Sequence, residues 1–363
     1  MKLSRPAFLV DEDKCRNNIE IMALKAKASG IGFRPHFKTH QSAAIGEWFR
    51  DHGVEKITVS SIGMAEYFAS HGWRDILVAF PVNLREISAI NQLARKVLLQ
   101  LVVESASTTT FLKDHLTAQA GICIKIDTGA RRTGLMPGNL TEITNILQIL
   151  TRSENMTFNG FLTHDGHTYT AGSREEIVSI HQHSVALLNS LKKEIEKDFQ
   201  VPQISLGDTP SCSIIERFEG LDEIRPGNFV FYDLMQYALG ACSLHEIAVA
   251  VACPVVAVHR ERNVLVIHGG AVHLSKEYLE KGGLKHFGLM VPLTANGWGE
   301  PVPDCYVQSV SQEHGIVHAS DEFLKTINIG DMVGVLPAHA CLTASLFRYF
   351  YRLDGNRMET LHT

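Results

Sequence analysis

Between about residues 8 and 235, short apolar runs alternate with segments whose apolar residues recur at helical spacing. Eight of the runs read as strands: Phe33–Phe37, Ile57–Ser60, Ile76–Phe80, Leu98–Val103, Ile122–Asp127, Phe158–Thr163, Gln203–Leu206 and Phe229–Tyr232. The clearest helix is 177–199, where Ile180, Val185, Leu187, Leu188, Leu191 and Ile195 form one face and residues 192–197 a charged tail. Strand–helix alternation repeated about eight times predicts an α/β fold closed as a (β/α)8 TIM barrel. An open doubly wound sheet is the structural alternative, but no GxGxxG follows an early strand.

After about residue 238 the pattern changes. Short β-rich runs at Ile247–Val251, Val255–Val258, Val264–Ile267, Tyr306–Val310 and Met332–Leu336 are punctuated by Gly and Pro, and long helical patterns stop. This predicts a second, all-β domain. The expected division is a barrel over 8–237 and a β-domain over 238–363 that also takes in residues 1–7.

Composition narrows the class. A chain of 363 residues with 45% hydrophobic and 20% charged residues is ordinary for a globular protein with a large core. A net charge of −5 argues against nucleic-acid and membrane-surface partners. The start is polar through Pro6 and only briefly apolar at Ala7–Val10, which predicts no secretory signal, and Pro254 interrupts the longest apolar stretch. Seven cysteines without a CxxC pair suit a reducing cytoplasm, mostly as small core residues such as Cys123.

Candidate chemistry gathers at expected strand ends. Lys38 closes the run Phe33–Phe37, where β/α barrels assemble active sites, and a lysine there can hold an aldehyde cofactor as a Schiff base. A solvated surface lysine is the plain alternative. Asp127, Gly129, Arg132 and Gly134 follow the fifth strand, and His164, His167 and Tyr169 the sixth. Gly207-Asp-Thr209 follows the seventh; its backbone N–H and hydroxyl groups suit a phosphate, although a simple turn has the same residues.

The sequence Arg34-Pro-His-Phe-Lys-Thr-His40 is followed in order by Asp127-Thr-Gly-Ala-Arg-Arg-Thr-Gly134, Gly166-His-Thr-Tyr169 and Gly207-Asp-Thr-Pro210. Arg225-Pro-Gly-Asn-Phe-Val-Phe-Tyr-Asp233, Glu313-His-Gly315 and Pro337-Ala-His-Ala-Cys-Leu-Thr343 complete the series. Together they resemble the fold-type III pyridoxal 5'-phosphate (PLP) enzymes built on the alanine racemase-like barrel. Within them, the chain resembles the branch of D-threonine aldolases, D-serine dehydratases and D-3-hydroxyaspartate dehydratases. The resemblance implies that Lys38 carries the cofactor, that Arg132 faces its phenolic oxygen, and that His167, Tyr169, Gly207, Thr209 and Tyr232 surround its phosphate or ring. It also implies a homodimer with active sites shared between subunits, a small D-amino acid as substrate, and neither nucleic acid nor membrane as partner.

His339 and Cys341 stand two apart, and in an extended segment their side chains point the same way. By spacing alone, a buried cysteine beside a structural histidine gives the same pattern. The resemblance implies a divalent metal on this pair, with Zn2+ favoured by the thiolate and Mn2+ as the other candidate. Dehydratases of the branch typically have His-x-Cys where D-threonine aldolases tend towards His-x-Asp. The resemblance therefore implies a metal-dependent PLP lyase of D-serine dehydratase type, converting D-serine or D-threonine to a 2-oxo acid and ammonia. Retro-aldol cleavage to glycine and an aldehyde is the alternative. An amino-acid racemase would need a second acid/base group for which the chain has no obvious motif. A non-catalytic PLP-binding protein would have no use for the long β region.

Overall fold

The structure, a computed structural model, describes residues 3–362; residues 1, 2 and 363 of the expected β-domain lie outside them. The chain forms two compact units. One comprises Glu20–Lys38 and Glu47–Gly227; the other comprises residues 3–19, Thr39–Gly46 and 228–362.

The first unit is a parallel eight-stranded sheet. Its strands are Gly32–Phe33, Lys56–Val59, Asp75–Pro81, Leu98–Val103, Ala120–Lys125, Met156–Thr163, Ile204–Leu206 and Glu223–Ile224. Strand Gly32–Phe33 pairs with Glu223–Ile224, and the lone parallel bridge His36–Thr58 joins the remaining edges into a barrel. Pro35 leaves no N–H for a longer ladder there, which is why the expected strand Phe33–Phe37 is so short. The closure rests on Phe37 N–H to the Thr58 carbonyl at 2.8 Å and Thr58 N–H to the Pro35 carbonyl at 2.9 Å.

The eighth strand corrects the sequence reading. The run Phe229–Tyr232 is not a strand: Asn228–Val230 is a 3-10 turn, with Tyr232 N–H bonded back to the Asn228 carbonyl at 2.8 Å. The barrel closes instead through Glu223–Ile224, whose buried carboxylate hid it from a search for apolar runs. Glu223 is tolerable because the barrel interior neutralises it. Arg34 Nε lies 2.9 Å and Lys56 Nζ 2.7 Å from its carboxylate, and Ser205 donates from 2.8 Å. Arg34 also forks onto Asp75 at 2.7 and 3.2 Å.

Strand alternation stacks the interior in layers. Asp75, Gln100, Ser205 and Glu223 form a polar floor with Arg34. Two residues further along their strands, Leu77 and Val102 join Cys123 and Leu162 in an apolar layer. Two residues further again, the strands end and polar side chains resume: Glu104, Lys125 and His164. The same step leads from Arg34 through His36 to Lys38, from Ser205 to Gly207 and from Glu223 to Arg225.

Helices cover the barrel. Ala43–Arg50 forms within the expected 42–52, and the long helix expected over 177–199 runs from Arg174 to Ile195, three residues earlier at its start, opened by Ser173, whose hydroxyl accepts from Glu176 N–H.

The second unit is an antiparallel sheet in which six strands close a ring. These are Val249–His259, Val264–His268, His314–His318, Tyr306–Val310, Gly288–Thr294 and Met332–Pro337, with Val249–His259 pairing at both ends of the series. The two runs expected on either side of Pro254 are one strand, bent by an irregularity between Val255 and Ala257. The first strand of the chain, Ala7–Val10, pairs antiparallel with Val249–Ala252 and parallel with Phe350–Arg352. Among the described residues, no helix is long and apolar enough to cross a membrane.

Candidate active site

Parallel register aligns the C-terminal ends of the barrel strands: Val103 with Ile124, Lys125 with Leu162, Thr163 with Leu206, and Leu206 with Ile224. The polar residues that follow these ends therefore converge at one mouth. Lys38 is half-buried in the turn that follows the closing bridge. Its backbone N–H lies 3.3 Å from His36 Nδ1. The preceding residue is held rigidly: Phe37 is fully buried, with ring centroids of Phe49, Phe68 and Trp73 at 4.9, 5.0 and 5.0 Å.

The mouth is cationic. Burial pushes the Lys125 ammonium down to about 8, helped by Arg225 and Arg132 and opposed by Glu104 and Asp127. Burial also drives His164 down to about 3, against its hydrogen bond to the Gly207 carbonyl, and Lys38, Arg132 and Lys125 push the same way. His36 is held neutral by burial and by the charges of Lys38 and Arg225. Two imidazoles kept neutral beside four cationic side chains describe a site made for an anionic group.

The phosphate candidates meet here. Thr209 N–H donates to the Tyr169 hydroxyl at 3.2 Å, and Gly227 N–H approaches Thr209 Oγ1 at 3.4 Å. Gly207 must be glycine, because a Cβ there would lie 2.7 Å from Arg225 Cβ and 2.8 Å from its carbonyl. His167 packs against Gly129, where a Cβ would fall 3.1 Å from its Nε2, and its Nδ1 is buried with no hydrogen-bond partner among the described residues. Arg132 is exposed on the loop shaped by Asp127, whose Oδ1 accepts from Gly129 and Arg131 N–H at 2.9 and 3.0 Å.

Sequence reasoning assigned no role to Arg225, although it stands in one of the quoted motifs. It is buried, its Nε donates to Ser205 Oγ at 2.8 Å, and its Nη2 donates to the Thr163 and Ser205 carbonyls. Lys125 and His36 were also missed; their signal is the two-residue step from the floor of the barrel.

Tyr232, His339 and Cys341 belong to the other unit. Tyr232 is buried with a left-handed backbone, φ 48°, a strained conformation for a bulky residue. His339 is extended, at φ −133° and ψ 104°, but Cys341 already lies in the first turn of helix Ala340–Ala344. The expected extended His-x-Cys segment is thus extended only at His339, yet Cys341 still lies close enough to raise the His339 pKa. Burial lowers the His339 pKa, but the neighbouring Cys341, with Asp233 and Glu277, outweighs it and raises the value to about 9.

Cys341 Sγ also lies 3.2 Å from Thr39 Oγ1 and 3.4 Å from Asn228 Nδ2. Asp233 supports the group: it is buried and accepts from Asn228 Nδ2, Gln236 N–H and Ala340 N–H at 2.7, 2.9 and 2.8 Å. Asn228 Oδ1 is buried without a partner among the described residues. Sulfur, imidazole and an orphaned amide oxygen fit a divalent transition ion. The cationic mouth with its lysine fits a phosphorylated aldehyde.

Comparison with known proteins agrees. Residues 248–353 match the family described as "putative serine dehydratase domain". A D-serine dehydratase of Dictyostelium discoideum is 27% identical over 381 residues, covering 98% of this chain and 94% of that one. A D-threo-3-hydroxyaspartate dehydratase of Delftia sp. HT23 is 27% identical over 376 residues, covering 100% and 98%. The solved structure of the Delftia enzyme superposes with a TM-score of 0.92 at 26% identity, covering 100% of this chain and 98% of that one. A cysteine-to-alanine mutant of it in a metal-free form also superposes at 0.92, at 25% identity and with the same coverage. A 3-hydroxy-D-aspartate aldolase of Paracoccus denitrificans is 23% identical, covering 99% of this chain and 91% of that one. A second family match, over residues 10–234, is to the family described as the alanine racemase N-terminal domain, and by it this chain belongs to that family.

Proposed function

We propose that the protein is a metal-dependent PLP lyase that dehydrates a D-β-hydroxy amino acid, of D-serine dehydratase type, giving a 2-oxo acid and ammonia. The observation that carries this reading is the His339–Cys341 pair, set in a chain that matches two dehydratases over nearly its whole length. Lys38 would hold the cofactor at rest and, once the substrate amine has displaced it, accept the α-proton at Nζ. The cofactor would supply an electron sink for the pair left on Cα. Tyr169, Thr209 and the Gly207 turn would hold its phosphate, His167 would pack beside it, and Arg132 would face its phenolic oxygen. Arg225, a cation rather than a carboxylate, would keep a nearby ring nitrogen unprotonated.

His339 and Cys341 would hold the ion, which supplies Lewis-acid assistance to the departing β-hydroxyl. The thiolate favours zinc over manganese. Asp233, Thr39 and Asn228 orient the pair. A homodimer with active sites shared between subunits, working in the cytoplasm, completes the proposal.

The test is product analysis on D-serine, D-threonine and D-3-hydroxyaspartate, with and without a chelator. Oxo acid with ammonia, lost on chelation and on His339→Ala or Cys341→Ala, supports the reading. Glycine with an aldehyde would replace dehydration by retro-aldol cleavage. Undiminished turnover at zero metal content would remove the metal from the reaction.

A further inference from the structure

The motif Glu313-His-Gly315 has no part in the chemistry above. It lies where the turn before strand His314–His318 meets the segment after strand Val264–His268. His268 pairs with His314 across the sheet. Beyond it, Gly269 N–H bonds to the Glu313 carbonyl at 3.0 Å, Ala271 N–H to the Ser311 carbonyl at 2.7 Å and Val272 N–H to the Gln312 carbonyl at 3.2 Å. The two segments run backbone against backbone, and glycine is the condition for it. A Cβ on Gly270 would fall 2.6 Å from the Glu313 carbonyl carbon, and one on Gly315 would fall 2.6 Å from the Gly269 oxygen.

This rigid clasp gathers three ligating side chains. His268 Nε2 lies 3.3 Å and His273 Nε2 4.0 Å from the same oxygen of Glu313, and the ligand atoms of all three lie within 4.8 Å of one another. The imidazole rings stand nearly perpendicular, at 88° with centroids 5.3 Å apart. Tetrahedral ligands on metal bonds of about 2.1 Å are about 3.4 Å apart, so small side-chain rotations suffice to close the set on one ion. A simple histidine–carboxylate hydrogen bond accounts for His268 but not for His273. Its Nδ1 is buried without a partner among the described residues, and its Nε2 reaches only the distant Glu313 oxygen.

We propose that His268, His273 and Glu313 form a second divalent transition-metal site, separate from His339 and Cys341. Two imidazoles and one carboxylate are a zinc- or cobalt-type donor set, and three protein ligands leave one position for water or an anion.

The test uses Co2+ on the full-length, cofactor-loaded protein with His339→Ala and Cys341→Ala. One equivalent should bind with visible d–d bands and no thiolate charge-transfer band. In that background Glu313→Gln, which keeps side-chain shape, and His273→Asn should each weaken binding about 100-fold or more. Wild-type protein should bind one more equivalent than the His268→Ala/His273→Ala variant. Loss of all tight Co2+ binding with His339 and Cys341, or binding insensitive to Glu313→Gln and His273→Asn, would overturn the second site. The readout is binding alone, so it stands or falls independently of the reaction the enzyme catalyses.

Discussion

Replacing Glu223 by Gln removes a negative charge from the floor of the barrel while keeping its shape. The carboxylate is fully buried between Arg34 and Lys56, at 2.9 and 2.7 Å. Burial by itself would raise its pKa, but Arg34, Lys56 and the hydrogen bonds from Lys56 and Ser205 prevail and hold it at about 2. At 1.36 kcal/mol per unit, depression from the usual carboxylate value of about 4.3 contributes roughly 3 kcal/mol. Breaking a buried pair by removing one partner costs about 3–5 kcal/mol, a consistent magnitude.

Because the folded pKa is the lower one, this stability is fully present above the unfolded pKa. It is lost as pH falls from about 5 towards 2. Urea melts followed by the fluorescence of buried Trp73, in the same unit, should place Glu223→Gln roughly 3 kcal/mol below wild type at pH 7, with the gap narrowing below pH 5. Glu47→Gln, at the exposed Arg50 pair, is the control and should change stability by less than about 1 kcal/mol. A gap below 1 kcal/mol at pH 7, or one that does not depend on pH, would refute the reading that this charge cluster stabilises the floor of the barrel.

Lys38→Ala should abolish the visible absorption of lysine-bound cofactor and turnover together while leaving the fold's circular dichroism intact; normal turnover in the variant would displace the central assignment. Gly207→Ala forces a Cβ to within 2.7 Å of Arg225 and should cost about 1–3 kcal/mol in thermal or urea melts while weakening PLP binding measured by dialysis. Arg225→Ala strips the donor from Ser205 Oγ and the Thr163 carbonyl and should destabilise by about 1–3 kcal/mol, with a shifted cofactor spectrum as the readout of the place proposed for it beside the ring.

Both architectures and the order of the site motifs were readable along the chain, because alternating apolar patterns report directly on which face a strand or helix buries. The strands Leu98–Val103 and Met156–Thr163 are where periodicity placed them, within two residues. Glu223–Ile224 was not readable. A carboxylate becomes an acceptable barrel residue only when Arg34 and Lys56, some 190 and 170 positions away in sequence, arrive beside it. Phe229–Tyr232 misled for the converse reason: an aromatic run is equally buried as a tight turn, and only its hydrogen bonds back to Asn228 distinguish the two.

The site divides along the same line. Lys38, Gly207, Thr209, His339 and Cys341 belong to short local motifs whose residue types carry their chemistry, so the amino-acid order alone determined them as candidates. The roles of Lys125, His36 and Arg225, the support that Asp233 and Asn228 give Cys341, and the meeting of His268 and His273 with Glu313 were decided by the tertiary structure. Each depends on the register of strands distant in sequence, and proximity, burial and the field of neighbouring charges exist only once those strands pair.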